Sequence, residues 1–350
     1  MTERLTLSID AMGGDNAPQM IVEGVDAAVD RLSHVRFLLY GDESLLRPLL
    51  DSHPHAAAVS EIRHADDVIS NDEKPGAALR GGKNSSMRLA INAVGSGEAG
   101  GVISAGNTGA LMAMAKFVLK TLPGIDRPAI ATYYPTQRGE SVMLDLGANV
   151  ECDADNLVQF AVMGEVFARN VLGLENPSIG ILNVGAEGLK GNEAVKKAAE
   201  TLQESSLPIK FYGFVEGDDI GAGTVDVVVT DGFTGNIALK TAEGTASLFG
   251  EFLKQSLAST PMARIGALFA RNALRKFKMR VDPRRYNGAM FLGLNGICIK
   301  SHGGTDSVGF ANAIHVAVEL ILNSFNDGIK EDYAKLSSHA PALKKVVGGE

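Results

Sequence analysis

Apolar residues in this chain come in short blocks rich in valine, isoleucine and leucine, at 5–9, 35–40, 101–104, 129–133, 142–146, 179–182, 209–215 and 225–230. Between them lie longer segments, at 18–32, 85–94, 108–120, 154–170, 192–204 and 234–256, that read as helices. Short β-branched runs suit buried strands, and a period of three to four residues suits amphipathic helices. Their alternation predicts an α/β fold: a doubly wound, mostly parallel sheet with helices on both faces, a Rossmann-like α/β/α sandwich. No internal repeat interrupts the pattern. We expect one domain over 1–335, including a helical arm at 234–285 that projects from it, and a tail at 336–350 that frays.

Ligands of such folds sit beyond the carboxyl ends of strands, so the residues just after each block matter most. Ile9 is followed by Asp-Ala-Met-Gly-Gly-Asp-Asn-Ala-Pro, and Ile103 by Ser-Ala-Gly-Asn-Thr-Gly. Leu182 precedes Asn-Val-Gly-Ala-Glu-Gly-Leu-Lys-Gly-Asn-Glu, and Val229 precedes Thr-Asp-Gly-Phe-Thr-Gly-Asn. Ile299 precedes Lys-Ser-His-Gly-Gly-Thr-Asp. A glycine-rich turn entering a helix presents free N–H groups at the positive end of the helix dipole, which suits an anion. Ser104, Asn107 and Thr108, with Gly13 and Gly14, are the expected phosphate ligands; the plainer reading of Asn107 is a helix cap. Lys74, Arg80 and Lys83 form a basic cluster that could hold a second anion or a carrier arm. His302, in a glycine-rich strand end, is a candidate proton donor or ligand.

Other familiar chemistry is missing. Gly95-Ser-Gly97-Glu-Ala-Gly100 matches a dinucleotide fingerprint in letters only, since it comes after a helix and precedes a strand. Gly81-Gly-Lys83 ends like a phosphate-binding loop, but Ala77 stands at its first glycine position and Asn84 comes after the lysine. The seven histidines show no metal-ligand spacing, so no metal site is expected. Cys152 and Cys298 are far apart without a CxxC, which argues for a reducing compartment and for core thiols. A net charge of −8 argues against nucleic acid as a partner. The amino-terminal residues carry no export-type apolar run, so a cytoplasmic protein is expected.

Against that acidic background, residues 264–285 hold eight Lys or Arg and one acid, Asp282. Met262, Ile265, Leu268 and Phe269 recur at helical spacing beside Arg271, Arg275 and Lys276. An apolar stripe with a basic flank suits an anionic membrane surface or an acidic protein partner. A dimer interface, or a core helix with ordinary solvated arginines, is the plainer alternative.

The loops at 10–18, 104–112, 183–193 and 230–236 resemble the signature loops of the bacterial phosphate acyltransferase (PlsX) family, in the same order along residues 5–328. Arg80-Gly-Gly-Lys-Asn-Ser-Ser86 departs from that family's pattern, which carries more basic residues there. The resemblance implies a fold similar to phosphotransacetylases and isopropylmalate dehydrogenases. It also implies a homodimer at the membrane surface, needing no cofactor, that moves a long-chain acyl group from acyl carrier protein to inorganic phosphate. Within this frame Lys190 and Asn236 are the expected catalytic residues, and Asp231 accompanies the phosphate ligands. The alternatives are a phosphotransacylase using acyl-CoA, a dehydrogenase of related fold, and a non-catalytic anion-binding scaffold on membranes.

Overall fold

The computed structural model describes residues 5–331 apart from 33, 206, 324 and 329; the tail expected at 336–350 lies outside the described residues. An eleven-stranded sheet runs through the chain, in the order β3-β2-β1-β4-β11-β10-β5-β6-β9-β7-β8. On one side lie β1 (Leu5–Asp10), β2 (Val35–Gly41), β3 (Ser60–His64), β4 (Gly101–Ser104) and β11 (Ile297–Lys300), all parallel. On the other lie β6 (Gly139–Leu144), β7 (Ser178–Leu182), β8 (Lys210–Val215) and β9 (Val227–Val229), also mutually parallel. Two strands, β5 (Ala129–Thr136) and β10 (Ala289–Leu292), join the halves through antiparallel pairings.

Those antiparallel pairings reverse the direction of the second half. The α/β class is as expected, but the glycine-rich strand ends do not share one edge. One row of partners runs Ile9, Ile103, Ile299, Met290, Ala131, Leu144, Val229, Ile181. One residue beyond it in one direction come Asp10, Ser104 and Lys300, and one residue beyond in the other come Asp145, Thr230 and Leu182. At roughly 3.3 Å per residue, these two sets of ends are offset by only about 7 Å along the strands. The halves are staggered, so both sets of loops leave near the middle of the molecule.

Side chains alternate between the faces of each strand. Ile9, Ile103, Leu144 and Val229 join a core with α1 (Gln19–Val29), α7 (Ala154–Leu172), α8 (Glu193–Glu204) and α13 (Ser307–Leu322). Val102, Met143, Val228, Phe291 and Cys298 face the other way, against α5 (Ser86–Gly95) and α6 (Thr108–Leu119). Helix α7 is buried along most of its length, and Phe160 and Phe167 are hidden on it. Each such side chain removed from water is worth about 1.5–3 kcal/mol.

Helix α10 (Gly232–Ala258) is different: of its 27 residues only Gly232 and Gly235 are buried. At 1.5 Å per residue it spans about 40 Å. Two shorter helices, α11 (Pro261–Phe269) and α12 (Arg271–Arg280), come next with no buried residue between them. These three helices fall in the span where the arm is expected. The chain returns to the sheet where Arg284 bonds both Asp282 and Asp306.

Candidate active site

Asp10, Ser104 and Lys300 are register partners on β1, β4 and β11, so their side chains share the face that carries α5 and α6. Asp10 is 1% exposed, and its carboxylate accepts from the hydroxyls of Ser86 (2.6 Å) and Ser104 (2.7 Å). Burial pushes its pKa up, and the two hydroxyls and the Lys300 charge pull against that. Gly13 packs so close that a Cβ there would lie 2.5 Å from the Asp10 carboxylate. The Lys300 ammonium donates to the carbonyls of Ala105 (3.2 Å) and Ser301, and burial brings its pKa down to about 8.

The loop after β4 therefore uses its polar side chains internally. Ser104 is completely buried, donates to Asp10 and accepts from Gly106 N–H. Asn107 caps α6 by accepting from Ala110 N–H, while its amide donates to the carbonyls of Ser70, Asn71 and Glu73. Neither side chain is left for a phosphate. Thr108 is partly exposed at the first position of α6, and Gly14 (φ +111°) turns the neighbouring loop beside Gly303. Arg80 and Lys83 are exposed at the end of α4 (Pro75–Gly81), whose Pro75 sits against Gly109 at the start of α6.

His302 lies just beyond β11. Its Nδ1 lies 3.1 Å from Gly304 N, a backbone donor, and its Nε2 lies 3.0 Å from the ammonium of Lys240 on α10. Burial and the two nearby ammonium groups hold His302 below its ordinary pKa, so it is neutral near pH 7. Lys240 is not among the residues expected from the sequence, although its spacing of four from Asn236 puts both on one stripe of α10. Lys300 is visible in the motif after Ile299, yet its burial is not.

The second set of loops is built around Asp145, which is completely buried at the end of β6. Its carboxylate accepts from Ile130 N (2.9 Å), Ala148 N (3.1 Å), Asn149 N (2.7 Å) and Asn149 Nδ2 (2.9 Å). The Asn149 carbonyl in turn accepts from Gly232 N, at 2.7 Å. A Cβ at Gly235 would lie 2.0 Å from the Asp145 carbonyl, so the first turn of α10 fits only as glycine. Asp231 caps that turn, accepting from the N–H and the hydroxyl of Thr234. Asn236 is exposed one turn on, seated over Gly147. Lys190, in the loop from the adjacent strand β7, is exposed and pairs with Glu187 at 2.9 Å, which raises its pKa.

The two thiols are poor nucleophiles. Burial pushes Cys152 up to about 12 and holds fully buried Cys298 higher still. Among the described residues no group of three or more His, Cys, Asp or Glu is placed to hold a metal ion, and no helix is long and apolar enough to cross a membrane. On the arm, Ile265, Leu268 and Phe269 are 52%, 67% and 87% exposed, a contiguous apolar surface unusual for a side that only meets water. Arg271, Arg275 and Lys276 are exposed beside it.

Solved structures of similar fold include a phosphotransacetylase from Streptococcus pyogenes (TM-score 0.62, 17% identity, 92% of this chain and 95% of that one). A branched-chain phosphotransacylase from Enterococcus faecalis is also similar (TM-score 0.54, 13% identity, 91% and 99% of the two chains). At these identities they speak for the fold alone. Residues 5–327 match the family described as fatty acid synthesis protein. A phosphate acyltransferase from Rhodospirillum centenum is 63% identical over 338 residues, covering 97% of this chain and 95% of that one. Another, from Paramagnetospirillum magneticum, is 63% identical over 349 residues, covering 100% and 99%. Identity of that extent along the whole chain, with the family match, shows that the chain belongs to the phosphate acyltransferase (PlsX) family of enzymes.

Proposed function

We propose that this enzyme moves a long-chain fatty acyl group from acyl carrier protein to inorganic phosphate, producing acyl phosphate for phospholipid synthesis. The observation that carries the reading is the 63% identity to phosphate acyltransferases over essentially the whole chain. A phosphate oxygen attacks the thioester carbonyl, forming a C–O bond and a tetrahedral oxyanion. Collapse breaks the C–S bond, and the carrier thiolate leaves and takes a proton from water. No electrons change hands. Phosphate is already an anionic nucleophile, so catalysis rests on alignment of two reactants and on donors for the oxyanion.

Asn236 and Lys190 supply those donors in this reading. They sit at the ends of neighbouring strands β9 and β7, one on a helix locked to Asp145 and one on a glycine-rich loop. The test is thiol release from palmitoyl-acyl carrier protein with and without inorganic phosphate, free of metal and nucleotide. Phosphate-dependent release with formation of acyl phosphate supports the assignment. Release from acyl-CoA but not from the carrier would move it to a phosphotransacylase of coenzyme A esters. Silence with both would leave an anion-binding scaffold.

The arm fits a cytoplasmic enzyme that works at an anionic membrane surface, with a second copy of the chain along α10. Leu248, Phe249 and Phe252 on that helix are 51%, 64% and 52% exposed, which suits burial in a homodimer. A basic side chain at an anionic membrane is worth about 1 kcal/mol. Changing Arg271, Arg275 and Lys276 to glutamine should therefore weaken binding to phosphatidylserine-containing vesicles by about 10²-fold at low salt. Unchanged vesicle affinity in the triple variant would remove the membrane role of this flank.

A further inference from the structure

The surroundings of His302 contain more donors than its ring can satisfy. A neutral imidazole has one N–H and one lone pair. If Nδ1 accepts from Gly304 N–H, then Nε2 carries the proton and faces the Lys240 ammonium at 3.0 Å. If Nε2 accepts from Lys240, then Nδ1–H faces Gly304 N–H at 3.1 Å. Either tautomer sets donor against donor, and protonation of the ring would add a third charge. An oxyanion brought to the Nε2 side satisfies all of them, accepting from the ring N–H and from Lys240 together.

We propose that Lys240 and His302, with Lys300 behind them, form the pocket that holds the acceptor phosphate. This rests on the reading that inorganic phosphate is the acyl acceptor. Lys240 lies four residues after Asn236 on α10, about 6 Å along the helix axis. A phosphate held here therefore sits beside the group assigned to the thioester oxyanion, and the expected ligands Ser104 and Asn107 are replaced by residues from α10 and β11. Lys300 adds charge from inside the sheet. Its pKa of about 8 leaves it mostly protonated at pH 7.

Three carboxylates face this pocket. Asp10 gives both oxygens to Ser86 and Ser104. Asp15 lies near Gly304, with one oxygen 3.1 Å from the Asn71 amide. Glu243, one turn along α10, is 2.7 Å from the Lys240 ammonium. Glu243 thus competes with an incoming anion for the Lys240 ammonium. That gives the pocket an opposite-sign test, because removing this carboxylate should tighten phosphate binding.

The experiment measures KM for phosphate, KM for the acyl donor, and calorimetric binding of inorganic phosphate without donor. Wild type is compared with Lys240→Ala, His302→Ala and Glu243→Gln, and with Lys254→Ala as an exposed control on the same helix. Lys240 is 46% exposed on a helix, so alanine there keeps the fold. We expect Lys240→Ala and His302→Ala to raise the phosphate KM by about tenfold or more, with the donor KM within about twofold. Glu243→Gln should lower it, and Lys254→Ala should leave it unchanged. Phosphate-dependent thiol release whose phosphate KM is unmoved in both the Lys240 and His302 variants would overturn the pocket while leaving the acyl-transfer reading intact. Calorimetric phosphate binding that depends on Lys240, in an enzyme that releases no thiol, would overturn the reading and leave the pocket standing.

Discussion

Replacing Asn236 by alanine is expected to lower turnover by about 10²–10³-fold, the usual consequence of losing one oxyanion donor. Asn236 stands exposed on the first turns of α10, and alanine is the better helix former there. Its removal should therefore leave thermal unfolding unchanged while the chemical step slows. Lys190→Ala should give a loss of similar size. Lys190 is half-exposed and its ammonium pairs with Glu187 across its own loop, so its removal takes little from the fold. In both variants the phosphate KM should stay near its wild-type value if the phosphate is held at the proposed pocket, one turn further along α10. Steady-state kinetics with acyl carrier protein thioester and varied phosphate separate these effects. Turnover within a few-fold of wild type in both variants would show that neither group meets the oxyanion. A phosphate KM that rises instead would place Asn236 among the phosphate ligands.

The alternation of short apolar blocks with helical segments is enough to read an α/β sheet, and the loops after Ile9, Ile103, Leu182, Val229 and Ile299 are where the polar centres lie. What the chain does not disclose is direction. Strand β10 has four residues and β3 is half-exposed along most of its length, so neither shows a clear period. Yet β10, paired antiparallel on both sides, is one of the strands through which the sheet changes sense. Residue identity in a four-residue buried strand does not distinguish parallel from antiparallel pairing, which is decided by tertiary contacts. The consequences reach single residues. Ser104 reads as a phosphate ligand because its partner Asp10 is 94 positions away, and only the register of β1 on β4 joins them. Asn107 shows the same limit: the cap is legible in the sequence, while the three carbonyls at 70–73 that hold its amide are not.

Lys240 is hidden for another reason. A lysine within a helical stretch reads as a solvated side chain, and nothing local marks it as functional. Its role depends on α10 leaving β9 at one side of the common strand row and crossing toward His302 at the other. That path is set by the first turn of the helix, where Gly232 and Gly235 press against the loop after β6. The donor proposed at Asn236 and the anion pocket proposed around Lys240 thus share one support.

That support makes Asp145→Ala the substitution with the largest expected effect on stability. The change leaves three backbone N–H groups, those of Ile130, Ala148 and Asn149, without their acceptor, and takes from the Asn149 amide one of its two acceptors, the Pro128 carbonyl remaining. A buried donor left unsatisfied costs about 1–3 kcal/mol, and some of these will recover partners by small shifts or by water. A net loss of about 4 kcal/mol is expected, a large share of the about 5–15 kcal/mol by which folded proteins are stable. Unfolding entropy of about 2.1 cal/mol/K per residue gives a chain of 350 residues about 0.7 kcal/mol/K, so Tm should fall by about 5 °C. The folded fraction should also turn over more slowly, since the Asn149 carbonyl that holds Gly232 N–H loses its own anchor and Asn236 moves with it. A displacement of about 1 Å at a reacting centre can cost about 10²-fold. Asp145→Asn sharpens the test. It keeps one acceptor oxygen but turns an NH2 toward donors, so it should be intermediate in Tm and still impaired in turnover. Calorimetric unfolding within about 1 °C of wild type for the alanine variant would show that the loop after β6 holds its shape without this carboxylate, and that α10 is positioned by its glycine contacts alone.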